Sequence, residues 1–188
     1  RFAGAEHATP GWASRHLLAD RLAMAEERGG WRTLARTTLA DVADNLWRRR
    51  GHWLERCGEG PEGRLHGDAV PANFLTSRGE DVVAVDWQCF GIGPVGADVG
   101  YYALSSREEF DVLVDAFVGG VGSDADREAI TLAARVTAVY SVLARAEWAL
   151  AQAARGEGAL AGKFRHPAVA PYLRALQRQF PQIEQLLG

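Results

Sequence analysis

Lysine is almost missing from this chain: Lys163 stands alone among 21 basic residues, so chemistry that needs a lysine on a strand has no residue to supply it. Cysteine is scarce too. Cys57 and Cys89 lack CxxC or Cys/His spacing, which argues against a disulfide framework or a zinc site and fits a reducing compartment. No apolar run approaches the ~20 residues that cross a bilayer, and the N-terminus lacks a charged-then-apolar signal pattern. A cytoplasmic protein without a membrane partner is expected. Positive charge is not in excess, since 21 basic residues face 24 acidic ones for a net −3 and a pI near 6.0. Scattered arginines at that balance cannot neutralise a phosphate backbone, so nucleic acid is excluded as a partner. Methionine is reduced to Met24, inside an expected helix, and the first residue is Arg1, so the chain is read as a piece of a longer one.

What is present suits one soluble globular domain spanning 1–188. The chain is 47% hydrophobic and 24% charged, and a chain of this length buries roughly 70% of its unfolded surface without metals or disulfides as staples. Apolar periodicity and stop signals predict helices over 12–28, 38–57, 98–105, 107–118, 124–154 and 168–187. Between the second and third of these the texture changes. Asn73-Phe-Leu-Thr-Ser77 and Asp81-Val-Val-Ala-Val-Asp86 flank Arg78-Gly79-Glu80 and read as a β-hairpin. Gly91 to Ala97, rich in glycine, reads as a loop, and Asp98 is placed to cap the next helix. The fold class is therefore α+β, mainly helical. Negative charge gathers near the hairpin, where Asp68, Glu80, Asp81 and Asp86 face only Arg78, which suits a cation or a metal-bound phosphate.

The stretch that carries chemistry is His66-Gly67-Asp68-Ala-Val-Pro-Ala-Asn73, with Val85-Asp86-Trp87 beyond the hairpin. If the turn centres near Gly79, paired positions sum to about 159, and Asn73 faces Asp86 across the open end with Cα atoms about 4.5 to 5.5 Å apart. An amide oxygen and a carboxylate at that separation can share one Mg²⁺, which takes few protein ligands and fills its remaining sites with phosphate oxygens and water. Asp68 lies on the loop feeding the first strand. An acid beside a metal-bound phosphate, free to accept a hydrogen bond from an incoming hydroxyl, is what in-line phosphoryl transfer requires. Taken singly, Asp68 reads as a turn residue, and Asn73 and Asp86 as strand-end caps.

HGDAVPANFL, then VVAVDWQ, then GPVGADVGYY together resemble the catalytic core of the aminoglycoside phosphotransferase and choline kinase-like superfamily, relatives of the protein kinases. The resemblance covers about Leu65 to Tyr102, and the flanking helices agree in order and type. It implies the large, C-terminal lobe of a protein-kinase-like fold: a helical pair over 1–64, the catalytic loop and metal-binding hairpin over 65–100, and a helical acceptor side over 101–188. It further implies that Asp68 is the catalytic base or hydroxyl-orienting residue and that Asn73 and Asp86 hold Mg²⁺. His66 would pack under the loop, and Asp98 would support the loop from the following helix. Trp87 and Gln88 stand where protein kinases carry phenylalanine and glycine, so a flip of that segment is not expected.

The function implied is ATP- and Mg²⁺-dependent transfer of phosphate to a small-molecule hydroxyl. The nucleotide-covering lobe would lie upstream of Arg1, and the 188-residue piece alone is expected to turn over poorly. The alternative is a catalytically silent kinase-like protein that binds a ligand or partner. Tyr140, Glu147 and Trp148, with Glu108, Glu109, Asp111 and Asp115, are candidates for an acidic or aromatic acceptor pocket, against which stands a reading as ordinary helix surface or core. Gly91-Ile-Gly93-Pro94-Val-Gly96 lacks the context of a phosphate loop and reads as a connector. Arg48-Arg49-Arg50 reads as a solvated face, and His7, His16, His52 and His166 lack metal-binding spacing.

Overall fold

The structure, a computed structural model, describes residues 17–28, 40–76 and 81–154. Its organising element is the long helix α6 (Arg127–Ala154). Between Ile130 and Ala144 this helix is apolar on nearly every side, with Val136, Val139, Tyr140 and Leu143 each at 1% exposure or less. A helix without a polar face must be enclosed by others. Accordingly α1 (Leu17–Arg28), α3 (Arg50–Gly58), α4 (Ala97–Ala103) and α5 (Phe110–Val121) all pack against it. Leu18 and Leu22 of α1 and Trp53 and Cys57 of α3 meet Val136, Val139 and Leu143 in the main core. Val99, Phe110 and Val114 form a second cluster with Ile130 and Ala134. Each fully buried large side chain there contributes roughly 1.5–3 kcal/mol of transfer free energy.

The helix expected over 38–57 is two helices: α2 (Ala40–Arg48) and α3, joined at Arg49, whose φ and ψ of −91° and 7° leave the helical basin. Side chains take carbonyls of the last turn of α2 at this break. The Tyr140 hydroxyl donates to the Leu46 carbonyl at 2.7 Å, and the Arg50 guanidinium donates to the Trp47 carbonyl at 3.0 Å. The arginine run is thus only partly the solvated face expected. Arg48 is exposed and pairs with Asp44, whereas Arg50 and Arg49 lie over the rings of Trp47 and Trp53. Cys57 is buried in the same core, and burial pushes its thiol up to about 12. Since the thiolate is the reactive form, an alkylating reagent at pH 8 is expected to leave Cys57 unmodified in the native protein and to label it only after unfolding, as read by mass spectrometry.

Two short antiparallel ladders fix the position of everything between residues 66 and 90. Strand β1 (Glu62–Leu65) pairs with β4 (Gly91–Pro94), Leu65 opposite Gly91, so the intervening chain leaves and returns at one end of this ladder. Within the excursion, β2 (Phe74–Thr76) pairs with β3 (Val82–Ala84), which is the hairpin expected from the sequence. The β1–β4 ladder corrects the loop reading of 91–97 over its first four residues. The glycines there answer to packing: a Cβ on Gly93 would stand 2.9 Å from Leu65 Cδ1, so the small residue lets β1 and β4 close. The helix expected after residue 98 begins at Ala97, and those over 107–118 and 124–154 appear as α5 and α6. The helix expected over 168–187, and residues 12–16 of the first one, lie outside the described residues. Among the described residues no helix is long and apolar enough to cross a membrane.

Candidate active site

The loop from His66 to Asn73 is held by bonds within itself and by side chains that reach it from distant parts of the chain. Asp98, in the first turn of α4, accepts from the backbone N–H of His66 at 2.6 Å and of Gly67 at 2.9 Å. It does not cap its own helix, whose N-cap is Gly96, so the capping alternative is corrected: both carboxylate oxygens are spent on the loop. Burial pushes the Asp98 carboxyl above its ordinary range, while the two N–H bonds and the Arg21 guanidinium pull it back. Gly67 takes φ of +80°, a left-handed conformation, and a Cβ there would lie 2.0 Å from the Cys89 carbonyl oxygen. Only glycine fits, because both the backbone angle and the room exclude a side chain.

His66 joins the loop to the far end of the hairpin. Its ring is 5% exposed, accepts at Nδ1 from the Asp68 N–H at 3.3 Å, and meets the Val85 carbonyl through Nε2 at 2.7 Å. Accepting at Nδ1 and facing a carbonyl at Nε2 places the proton on Nε2. The rings of Trp87 and Phe74 flank it at centroid distances of 4.5 and 5.8 Å. His66 thus lies between the loop and the end of the hairpin. Asp68 is half-buried at the loop's turn. Its carbonyl accepts from Val70 N–H at 2.9 Å and from Asn73 Nδ2 at 2.8 Å, and Asn73 Nδ2 also reaches Asp68 Oδ2 at 3.3 Å. Asp68 and Asn73 are therefore brought together.

Asp86 is displaced from its expected position by one residue. The ladder sums to 158, so Asn73 stands opposite Val85, whose N–H donates to the Asn73 carbonyl at 2.9 Å, and Asp86 follows directly after. In an extended strand that shift would turn the carboxylate to the other face. The backbone is not extended there: Asp86 takes φ 62°, ψ 61°, and is the only non-glycine residue with positive φ among the described residues. Left-handed backbone at a non-glycine residue costs roughly 1–3 kcal/mol and concentrates where function requires a particular direction. One Asp86 oxygen accepts from Gln88 Nε2 at 2.7 Å. No group of three or more His, Cys, Asp or Glu gathers as a metal site among the described residues.

The residues read as a possible acceptor pocket fare differently. Tyr140 is a core residue, 1% exposed, its hydroxyl committed to Leu46 and pushed up by burial, which corrects the pocket reading. Glu147 and Trp148 belong to α6, but their side chains lie outside the described residues. Asp115 pairs with Arg127 at 2.7 Å and Asp111 with Arg135 at 3.7 Å, which ties α5 to α6 at the surface. His52 is exposed, and His7, His16 and His166 lie outside the described residues. A largely apolar cleft of about 1220 Å³ opens beside the hairpin, between Phe74, Val83 and Trp87 on one side and Tyr102, Leu113 and Phe117 on the other. His66 and Asp98 reach it.

Sequence reasoning missed one member of the loop's support. Arg21, on α1, donates from its guanidinium to the Gly67 carbonyl at 2.8 Å and lies 4.3 Å from the centre of the Tyr101 ring. It is one of many arginines, and nothing in its local spacing marks it.

The described residues form a mainly helical α+β fold in which a distant aspartate clamps an acid-bearing loop, followed by a short hairpin that leads into an aspartate of positive φ. The model of the phosphotransferase enzyme family (APH) matches residues 1–133, which include the whole of this loop and hairpin, and the chain belongs to that family. No curated protein and no solved structure matches it.

Proposed function

We propose that this chain carries the transfer site of an ATP- and Mg²⁺-dependent phosphotransferase that acts on a hydroxyl group of a small molecule. The observation that carries the reading is the pairing of Asp68 with Asn73 on a loop whose backbone is fixed by Asp98. Asp68 is the group that orients the acceptor hydroxyl and takes its proton, and positioning is the main thing such a site must supply. The donor end of the Asn73 amide is engaged on Asp68 oxygens, so the Oδ1 end is left to meet a cation. Together with the Asp86 carboxylate, that is a hard oxygen donor set of the kind Mg²⁺ takes from proteins. When bound, Mg²⁺ would neutralise charge on the nucleotide phosphates; Asn73 and Asp86 would hold it.

The positive φ at Asp86 gives this reading a test that does not depend on knowing the acceptor. Glycine adopts that backbone without strain, so Asp86→Gly is expected to keep the wild-type unfolding free energy or raise it by up to about 1 kcal/mol, as read by urea denaturation. The same substitution is expected to abolish the Mg²⁺-dependent rise in Tm that ATP produces in the full-length protein. An Asp86→Gly protein that still gains stability from Mg²⁺ and ATP as the wild type does would refute the assignment of Asp86. A panel of hydroxylated compounds, followed by ADP release, then identifies the acceptor class.

A further inference from the structure

The peptide unit joining Gly67 to Asp68 is held at both of its polar edges. Its carbonyl receives the Arg21 guanidinium at 2.8 Å, and its N–H donates to His66 Nδ1 at 3.3 Å. Asp98 holds the N–H of the preceding peptide, on the Gly67 nitrogen. A peptide plane anchored at both edges cannot rotate about the flanking Cα atoms, and rotation at this plane would swing the Asp68 side chain. His66 and Asp98 lie within the motif or the helix that follows it. Arg21 comes from α1, 46 positions away, and is itself seated against the Tyr101 ring, so its head group is fixed from two directions. A planar guanidinium with several donors and a stacking face suits that double duty better than an ammonium.

We propose that Arg21 is a positioning residue for Asp68: by holding the Gly67 carbonyl it fixes the peptide plane from which the Asp68 carboxylate is aimed. The proposal rests on Asp68 being the acid of phosphoryl transfer. Arg21 touches neither nucleotide nor acceptor in this scheme, so its removal alters the chemical step and not the binding of ATP. It also couples α1 to the loop by a hydrogen bond, beside the apolar contact that Leu17 of the same helix makes at Gly67.

The test compares Arg21→Met, which keeps a long apolar stem, with Arg21→Lys, which keeps one charged donor. In Arg21→Met, amide hydrogen exchange at Gly67 and Asp68 is expected to quicken at least tenfold, with exchange at Val136 and Leu143 of α6 unchanged. In the full-length enzyme kcat is expected to fall at least tenfold with KM for ATP within twofold of wild type. Arg21→Lys is expected to recover loop protection to within about threefold. Unchanged loop exchange, unchanged kcat, or equal acceleration at the α6 amides in Arg21→Met would each overturn the proposal, the last because Arg21 would then be holding the fold as a whole. Should the wild type transfer phosphate to no acceptor, the kinase reading fails, while the exchange measurements still decide whether Arg21 holds the loop.

Discussion

Replacing Gly100 with alanine is expected to remove more than about 3 kcal/mol of stability, a large share of the roughly 5–15 kcal/mol that holds a domain together. The reason is a backbone contact. A Cβ at Gly100 would lie 1.9 Å from the carbonyl oxygen of Ala134 and 2.8 Å from its Cα, so α4 and α6 touch main chain to main chain. Nothing at that contact can rotate aside. Relief requires the two helices to separate, which would open the cluster of Val99, Phe110, Val114 and Ile130 and pull Asp98, two residues before Gly100, away from the loop it holds. A serine would do the same. Gly119 provides the control: it sits on the exposed side of α5 with nothing within 4 Å of its Cβ position. Gly119→Ala is expected to stabilise by roughly 0.5–1 kcal/mol, from helix propensity alone. Urea denaturation midpoints of the two variants check both signs, and a Gly100→Ala protein as stable as the wild type would show that the α4–α6 contact is looser than described.

How much of this was legible beforehand depended on the range of the interactions involved. The hairpin, the His66 to Asn73 loop and the start of α6 announce themselves through local signals: alternation around a turn, a dense polar motif, a helical period. The β1–β4 ladder does not, because Gly91, Gly93 and Pro94 have poor strand propensity and pair only where Leu65 and α1 demand close approach. The one-residue slip at Asp86 escaped for a similar reason, since register follows from where the ladder ends and Val85, not Asp86, closes this one. Tyr140 illustrates the same limit. Its aromatic ring and hydroxyl suggested a pocket, yet its partner, the Leu46 carbonyl, lies 94 positions away. Of the residues tied to the loop, Asp98 was legible because its motif marks it, whereas Arg21 acts through a single long-range bond from a helix whose period explains it equally well as surface.

Asp68→Asn should separate chemistry from architecture more sharply than any other substitution. Asparagine keeps the size and planarity of the side chain, and its Oδ1 can still accept from Asn73 Nδ2, as Asp68 Oδ2 does at 3.3 Å. The bonds that fix the loop run to backbone atoms: Asp98 to the His66 and Gly67 N–H groups, Arg21 to the Gly67 carbonyl, Asn73 to the Asp68 carbonyl. None of them uses the Asp68 carboxylate. The loop is therefore expected to stay folded, with Tm lowered by no more than a few degrees. What is lost is the negative charge and, with it, the proposed capacity to take a proton from the attacking hydroxyl. Removing a positioned general base costs typically 10²–10⁴ in rate, so kcat for ADP release by the full-length protein is expected to fall about a thousandfold. KM for ATP should stay within a few-fold of wild type, because the residues proposed to hold the metal–nucleotide complex, Asn73 and Asp86, are untouched. That split would distinguish Asp68 from Asp86, whose proposed role is in binding the nucleotide. A thousandfold fall accompanied by unfolding would make Asp68 structural, and an enzyme that turns over normally with asparagine at 68 would remove it from the reaction altogether.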